Sequence, residues 1–262
     1  MSTIRHAVAA LALVGCVSAT TELAVPEGAR LVDLSHSFDE RTIYWPTAPE
    51  RFRLEPIAVG ETDGGWFYAA YSICTPEHGG THLDAPRHFA ASGATTDTIP
   101  LDRLVAPAVV IDMSRDAARD RDALLGSAHI EAFEAEHGPI TPGTIVLVRT
   151  DWSKRWPDVE QYLGDTTPGE TSNLHFPGIG EDAAKLLVAR EIAAVGIDTA
   201  SLDHGPSRDF LAHRVLAAAD IPGFENLHSL ADLPARGALV IALPMKIGAG
   251  SGGPLRAIAI VP

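Results

Sequence analysis

The stretch that decides the fold class is Val105-Ala106-Pro107-Ala108-Val109-Val110-Ile111-Asp112-Met113. A second apolar run follows at Thr144 to Thr150. Near-continuous apolar runs of this length are typical of strands that are covered on both faces. Between them, residues 128–137 have helical periodicity, and Gly138 provides a stop signal. A strand, a helix and a second strand in this order predict an α/β arrangement.

The same alternation extends in both directions from this stretch. Further strands are expected at residues 31–35, 66–73, 193–198, 238–243 and 256–261, and further helices at 181–191 and 209–219. Asp209 stands where it could cap the last helix. The sequence therefore predicts one α/β domain over residues 31–262, with a mixed β-sheet core and flanking helices.

Composition limits the classes of function. Of 262 residues, 46% are apolar and 21% are charged, which is typical of a globular chain rather than a disordered one. The formal net charge of −14 repels phosphate backbones, so no nucleic-acid partner is expected. Two cysteines are too few for a fold that depends on disulfides.

Residues 1–19 have the pattern of an export signal. Arg5 precedes an apolar run at residues 7–14, which is too short to span a bilayer because that takes about 20 residues. Leu13-Val14-Gly15-Cys16 resembles a bacterial lipobox, in which the cysteine is lipidated; ordinary cleavage after Ala19 is the alternative. We expect an exported, periplasmic protein that contacts the membrane only through such a lipid anchor.

The segment His78 to His88 contains three histidines and one aspartate within eleven residues. Gly79-Gly80 and Pro86 oppose a helix, and in an extended chain alternate residues share a face. His78, His82, Asp84 and His88 are all at even positions, although the chain must bend at the two glycines for His78 to approach the others. A lone histidine is more often structural. Four ionisable groups gathered on one face would suffer a large desolvation penalty without a cation, and this mixed N/O set suits Zn²⁺ or another first-row metal.

The spacing H-x3-H-x-D-x3-H in this segment resembles the signature of the metal-dependent cyclase family, which includes bacterial kynurenine formamidase and isatin hydrolase. Four further stretches carry the resemblance: Asp33-Leu34-Ser35-His36, Tyr44-Trp45-Pro46, the run at residues 196–203, and His213 followed twelve residues later by Glu225. The resemblance covers residues 31–262. It implies the cyclase fold and a homo-oligomer.

The resemblance also implies a role for each matching residue. His78, His82 and Asp84 would bind a first metal ion, and His213 and Glu225 would complete a second position, with Asp84 and Glu225 shared between the two. His88 would be a proton donor and acceptor. The cofactor would be Zn²⁺ or Mn²⁺, as one or two ions.

Alternatives remain open for several of these positions. Trp45 would line an aromatic substrate pocket, or else anchor the core beside a proline turn. Glu225 could be a solvated loop carboxylate, and His213 a polar residue on a helix face. The family pattern assigns no ligand role to the remaining histidines near these motifs, which are His36, His204 and His228.

The implied reaction is hydrolysis of amide C–N bonds in small aromatic substrates, either an aryl formamide such as N-formylkynurenine or the lactam of isatin. A divalent ion activates water and polarises a carbonyl, and a histidine near neutral pKa can protonate the leaving nitrogen. The inserted stretch 151–177 favours the isatin-hydrolase type. The alternatives are an exported metal-binding protein without catalysis, and a lactone hydrolase or dehydratase on the same fold.

Overall fold

The computed structural model describes residues 28–262, so the predicted export signal and Cys16 lie outside the described residues. Within that range no helix has both the length and the apolar character to cross a membrane. The strands are β1 Arg30–Asp33, β2 Arg53–Glu61, β3 Phe67–Cys74, β4 His82–Asp84, β5 Val105–Asp112, β6 Leu124–Leu125, β7 Ile145–Arg149, β8 Gly178–Ile179, β9 Ala194–Ile197, β10 Gly223–Glu225, β11 Arg236–Pro244 and β12 Gly252–Val261. The helices are α1 Ser114–Arg119, α2 Ser127–His137, α3 Val159–Leu163, α4 Glu181–Ala189 and α5 Leu211–Ala218.

The main sheet has eight strands in the order β1-β12-β11-β5-β7-β9-β10-β4. Strands β5, β7, β9 and β10 run parallel, and the other pairings are antiparallel. Strand β4 also pairs with β12, which closes the sheet into a barrel-like core. The predicted α/β class with a mixed sheet is thus confirmed.

Both faces of the central strands are covered. Ile145 and Leu147 point into the barrel, where they join Leu83, while Val146 and Val148 point outward to the layer that contains α2, α4 and α5. This double burial explains why the runs at β5 and β7 are apolar at nearly every position instead of at alternate ones.

The stretch 151–177 forms a small apolar cluster of its own over one end of the barrel. Trp152, Tyr162, Leu163, Leu174 and Phe176 pack around Ile43, and all six side chains are buried. Trp45 and Trp156 pack against this cluster. The inserted stretch therefore supports the segment that leads from β1 towards the histidines before and in β4.

Strand β2 and strand β3 form a separate two-stranded hairpin. Its large apolar side chains are exposed on both faces rather than buried against the barrel.

The structure corrects two local expectations. Asp209 does not cap α5, because the helix begins at Leu211 and the amide groups of Ala212 and His213 donate to the carboxylate of Asp203 instead. His88 does not continue the strand of His82 and Asp84, because Pro86–His88 forms a 3-10 turn.

Candidate metal centre

Strand β4 holds two motif residues, His82 and Asp84, between strands β10 and β12. It pairs antiparallel with β10, which sets Glu225 directly opposite His82, and with β12 on its other side. The chain reaches β4 through Gly79 and Gly80, at φ of 147° and 59°. A Cβ atom on Gly79 would stand 2.1 Å from the ring of Tyr44, so only glycine allows this turn to lie against the cavity wall.

A first group of metal-donor atoms lies at this turn. Atoms of His78, His82 and Asp84 are all within 4.8 Å of one another. Asp84 Oδ1 is 2.6 Å from Nδ1 of His78 and 3.1 Å from Nε2 of His82. The bend at the glycines therefore brings His78 to the other two residues, as the sequence argument required.

A second group lies beside the first and shares Asp84. Nε2 of His213 is 3.0 Å from Asp84 Oδ2 and 3.0 Å from Glu225 Oε1, and the donor atoms of these three residues also lie within 4.8 Å of one another. All three side chains are buried. The interpretation of Glu225 as a solvated carboxylate is therefore wrong, and His213 lies on helix α5 with its ring buried in this group.

The nitrogen of each imidazole that faces away from the group has its own partner. Nδ1 of His82 donates to the Gly80 carbonyl at 3.0 Å, and Nδ1 of His213 lies 2.6 Å from Asp203 Oδ2. Nε2 of His78 is 3.0 Å from Ser251 Oγ. Such partners orient imidazole ligands towards a metal ion.

Burial and charge shift the acid–base properties of this cluster. Burial and the nearby Asp84 charge raise the pKa of Glu225. For His82, burial acts against protonation, but the hydrogen bond and charge of Asp84 prevail and raise the pKa to about 8. Two buried carboxylates with imidazole nitrogens turned towards them form a mixed N/O donor set, whose chemistry fits a divalent cation.

His88 lies next to these donors but in neither group. Its ring stacks on His78 at a centroid distance of 3.9 Å, and its centroid is 6.2 Å from that of His213. Burial lowers the pKa of His88 to about 4, which differs from the near-neutral value expected from sequence. At pH 7 the ring is therefore neutral, the form that can accept a proton.

A cavity of about 420 Å³ opens above both groups. Trp45, Phe89 and Phe210 form its aromatic wall, with ring centroids 6.3 Å apart for Trp45 and Phe210 and 5.5 Å apart for Phe89 and Phe210. Phe210 has φ of 50°, an uncommon conformation for a bulky residue. Trp45 also packs edge-on against Phe176 of the inserted stretch, so it both lines the cavity and joins the core.

The sequence reasoning missed the residues that hold the imidazoles. Asp203 lies in the run 196–203 that resembles the family, but no role was predicted for it. A carboxylate shortly before a helix that carries a histidine could have indicated a partner for that imidazole. Ser251 and Glu77 carried no signal because they are 174 residues apart, yet Ser251 Oγ lies 2.6 Å from Glu77 Oε2. The three other histidines near the motifs belong to neither donor group: His36 stacks on Trp156 and packs beside His228, and His204 follows Asp203.

Comparison with known proteins agrees with this geometry. The sequence model of a family described as "Putative cyclase" matches residues 32–204. The chain belongs to this cyclase family. An isatin hydrolase from Roseibium aggregatum is 39% identical over 220 residues, which cover 81% of this chain and 82% of the relative. A kynurenine formamidase from Salinibacter ruber is 29% identical over 87% of this chain and 96% of its own.

A solved structure has the same fold. The crystal structure of an isatin hydrolase bound to the product analogue thioisatinate superposes with a TM-score of 0.82 and 35% identity, over 89% of this chain and 93% of the other. The predicted class, a metal-dependent hydrolase that acts on the C–N bonds of aromatic amides, is confirmed by these relationships.

Proposed function

We propose that this protein hydrolyses the C–N bond of a small, neutral aromatic lactam of the isatin type. The observation that carries the proposal is the position of the two donor groups at one end of an aromatic-walled cavity. The names of the isatin hydrolase relatives support the same substrate.

The charge of the cavity separates the two substrates suggested by the relatives. Among the described residues that line it, none is lysine or arginine. N-formylkynurenine carries an ammonium and a carboxylate group, and this carboxylate would find neither lysine nor arginine there. Isatin is uncharged and planar, and it matches a wall made of Trp45, Phe89 and Phe210. Burying an unpaired charge is unfavourable, so the cavity favours the lactam over the amino acid.

The metal ligands in this proposal are His78, His82, Asp84, His213 and Glu225, which could hold one or two ions of Zn²⁺ or Mn²⁺. When bound, a divalent ion lowers the pKa of water and polarises a carbonyl. Availability in the cell decides much of the choice between such metals, because their ligand preferences overlap.

His88 moves the proton in this proposal. The neutral ring accepts a proton from the attacking water as the new C–O bond forms, and it then donates that proton to the nitrogen as the C–N bond breaks. The products of a lactam are a carboxylate and an aromatic amine, and the second proton of the water leaves to solvent as the new carboxyl group ionises. The aromatic wall orients the ring and excludes bulk water from the reacting carbonyl.

The test is a substrate series measured with the Zn²⁺- and Mn²⁺-loaded protein. We expect kcat/KM to be highest for isatin, lower for formanilide, and lowest for N-formylkynurenine. Preference for N-formylkynurenine would contradict the cavity argument. Hydrolysis of a lactone alone would indicate the alternative reaction on the same fold. Binding of metal without turnover of any of these would indicate a metal-binding protein.

We also propose that the protein is a homo-oligomer held together by its β2–β3 hairpin. Eight large apolar residues of this hairpin are each 46–70% exposed: Leu54, Ile57, Val59, Trp66, Phe67, Tyr68, Tyr71 and Ile73. An aromatic side chain can bury 150–250 Å², so the four aromatics alone offer roughly 400 Å² when about half exposed. That is about half of the ~800 Å² that each partner buries in a stable interface, and a second copy supplies the same surface in return.

We further propose that the mature protein is periplasmic and lipid-anchored at Cys16. The support is the sequence pattern at residues 1–19. Mass spectrometry of the purified mature protein decides this, since lipidation requires Cys16 to be the first residue. An N-terminus shortly after Ala19 would contradict the lipid anchor and leave an ordinary export signal.

A further inference from the structure

A buried chain of hydrogen bonds connects the inserted stretch 151–177 with His82. The hydroxyl of Tyr162 has two acceptors within reach, Oδ1 of Asn226 at 2.9 Å and the carbonyl of Asp198 at 3.1 Å, and Nδ2 of Asn226 donates to the carbonyl of Gly80 at 2.8 Å. The same carbonyl accepts the Nδ1 hydrogen of His82 at 3.0 Å. The Gly80 carbonyl oxygen thus joins the side chains of Asn226 and His82, and Asn226 in turn contacts Tyr162.

The Gly80 carbonyl determines which nitrogen of His82 is free. Because a carbonyl can only accept, Nδ1 of His82 carries a hydrogen, and Nε2 is the nitrogen left to bind a metal ion when it gives up its proton. That nitrogen points to Asp84 Oδ1 at 3.1 Å and Glu225 Oε2 at 3.5 Å. The direction of the Gly80 carbonyl therefore controls the orientation of the proposed metal ligand.

Asn226 cannot turn its amide without losing this arrangement. If the amide were reversed, Oδ1 would face the Gly80 carbonyl and two acceptors would meet without a hydrogen between them. Tyr162 and Asn226 are 0% and 2% exposed, so bulk water has little access to replace either bond. The hydroxyl of Tyr162 thus favours the amide orientation that serves Gly80.

The backbone of Asn226 is held as firmly as its side chain. Its φ is 53°, in the left-handed region that asparagine tolerates better than most residues. Its amide donates to the Thr199 carbonyl at 2.8 Å, and its carbonyl accepts from Thr81 Oγ1 at 2.7 Å. Because Asn226 directly follows Glu225, the same hydrogen bonds also restrain the backbone next to Glu225, which is another proposed metal ligand.

The inserted stretch keeps Tyr162 in place. Nε1 of Trp152 donates to the Tyr162 carbonyl at 2.7 Å, and both rings belong to the buried apolar cluster around Ile43. Neither Tyr162 nor Trp152 is a member of a donor group. Their hydrogen-bonded connection to the donor groups passes through Asn226 and Gly80.

From this geometry we propose that Tyr162 and Asn226 are positioning residues that set the orientation of His82 for metal binding. The inference rests on the proposed role of His82 as a ligand. It gives the inserted stretch a function, since it supplies the hydroxyl at the start of the chain. Partners of this kind typically contribute 10–100-fold to metal affinity.

The test compares Tyr162→Phe and Asn226→Gly with the unaltered protein. Tyr162→Phe removes only the hydroxyl, and Asn226→Gly removes the amide at a φ that glycine adopts freely. The measurement is the dissociation constant for Zn²⁺, obtained by competition with a chromophoric chelator. We expect binding to weaken about tenfold in Tyr162→Phe and up to about 100-fold in Asn226→Gly.

Leu163→Val is the matched control. Leu163 is the buried neighbour of Tyr162, and its side chain takes no part in the series of hydrogen bonds that leads to His82. It should lower the free energy of unfolding but leave Zn²⁺ affinity unchanged. The visible absorption of the Co²⁺-loaded protein provides a second measurement. It should change in Asn226→Gly, as the ligand geometry changes, and not in Leu163→Val. If Asn226→Gly does not fold, Tyr162→Phe carries the same test.

Wild-type Zn²⁺ affinity and an unchanged Co²⁺ spectrum in Tyr162→Phe and Asn226→Gly would overturn the proposal and leave the chain a purely structural feature. His82→Ala separates this failure from failure of the proposed function. If His82→Ala loses Zn²⁺ while Tyr162→Phe does not, only the positioning role fails. If His82→Ala binds Zn²⁺ as tightly as the wild type, the ligand assignment itself fails.

Discussion

Asp203 holds His213 from two directions at once. Its Oδ2 atom lies 2.6 Å from Nδ1 of the His213 ring and accepts the main-chain amide of the same residue at 3.1 Å. Its Oδ1 atom accepts the amide of Ala212 at 3.0 Å. One carboxylate therefore accepts hydrogen bonds from two amide groups in the first turn of α5 and also orients the imidazole of His213.

Substitutions of Asp203 can separate these two tasks. Asp203→Asn keeps one oxygen to accept from the helix amides but removes the charge that attracts the His213 ring. We expect a 10–100-fold loss of metal affinity with a small change in stability. Asp203→Ala should lose the cap as well, which lowers the free energy of unfolding by about 1 kcal/mol more. Chelator competition and urea unfolding measure the two effects; equal metal affinity in Asp203→Asn and wild type would contradict the orienting role.

His82→Ala should lose bound metal together with activity, because His82 contributes to the first donor group and faces Glu225 of the second. The control is His175→Ala, since His175 is half exposed and pairs with Asp122 away from both groups. Elemental analysis after dialysis provides the readout. Full metal occupancy in His82→Ala would show that the ligands lie elsewhere.

Some parts of the fold could be predicted from sequence because their pattern follows from local geometry. The apolar runs at β5 and β7 reflect burial on two faces, and the glycines before His82 reflect a turn that no side chain could occupy. The pairing of β4 with both β10 and β12 could not be predicted, because β4 has three residues and its partners are more than 130 positions away.

The proposed metal ligands could be predicted from their spacing in the sequence, whereas the residues that support them could not. His78, His82 and Asp84 are close in sequence, so their spacing alone suggested a common site. Tyr162 and Asn226 support that site from distant segments, and neither residue type signals such a role by itself. Asp203 was hidden by a more familiar cap signal at Asp209, six residues later, which the chain does not use.

Replacing apolar residues of the β2–β3 hairpin should separate the subunits. Ile57 and Ile73 are 70% and 59% exposed, so Ile57→Glu with Ile73→Glu places charges on the surface that we propose a second copy covers. Sedimentation velocity should show an oligomer for the wild type and a monomer for this variant. Glu55→Gln on the same hairpin is the control. A monomeric wild type at micromolar concentration would contradict the proposed interface.

Asp198 should make stability depend on pH between about 4 and 7. Burial raises its pKa from 3.8 to about 6, so the folded state binds its proton more tightly than the unfolded state does. This contribution to stability is complete below the unfolded pKa and is lost as the pH rises through about 6. A shift of about two units corresponds to roughly 3 kcal/mol.

Asp198→Asn removes this dependence and keeps an oxygen that can accept from the amide and hydroxyl of Thr150. The difference in unfolding free energy between variant and wild type should therefore shift in favour of the variant by up to about 3 kcal/mol from pH 4 to pH 7. If the new amide group itself alters the free energy of unfolding, it does so equally at every pH, so the difference between pH 4 and pH 7 still reports the titration of Asp198. A difference that stays constant across the range would show that burial does not raise the pKa of Asp198.

His88→Ala tests whether the ring beside the donor groups moves the proton. His88 stacks on His78 yet belongs to neither group, so the variant should keep its full metal content. Its kcat should fall by about 10²–10⁴-fold, the usual contribution of general acid–base catalysis. The loss should be smaller for anilides whose amine is a better leaving group, because these need less help from an acid.

Two measurements on His88→Ala distinguish the outcomes. If metal content falls with activity, His88 is a ligand and the proton must be carried by another group, with Glu225 the next candidate because it also faces the cavity. If the variant retains full activity on isatin and on formanilide, no proton transfer depends on this ring. Retained metal with a leaving-group-dependent loss of kcat is the result that assigns the transfer to His88, since a general disturbance of the cavity would slow all leaving groups alike.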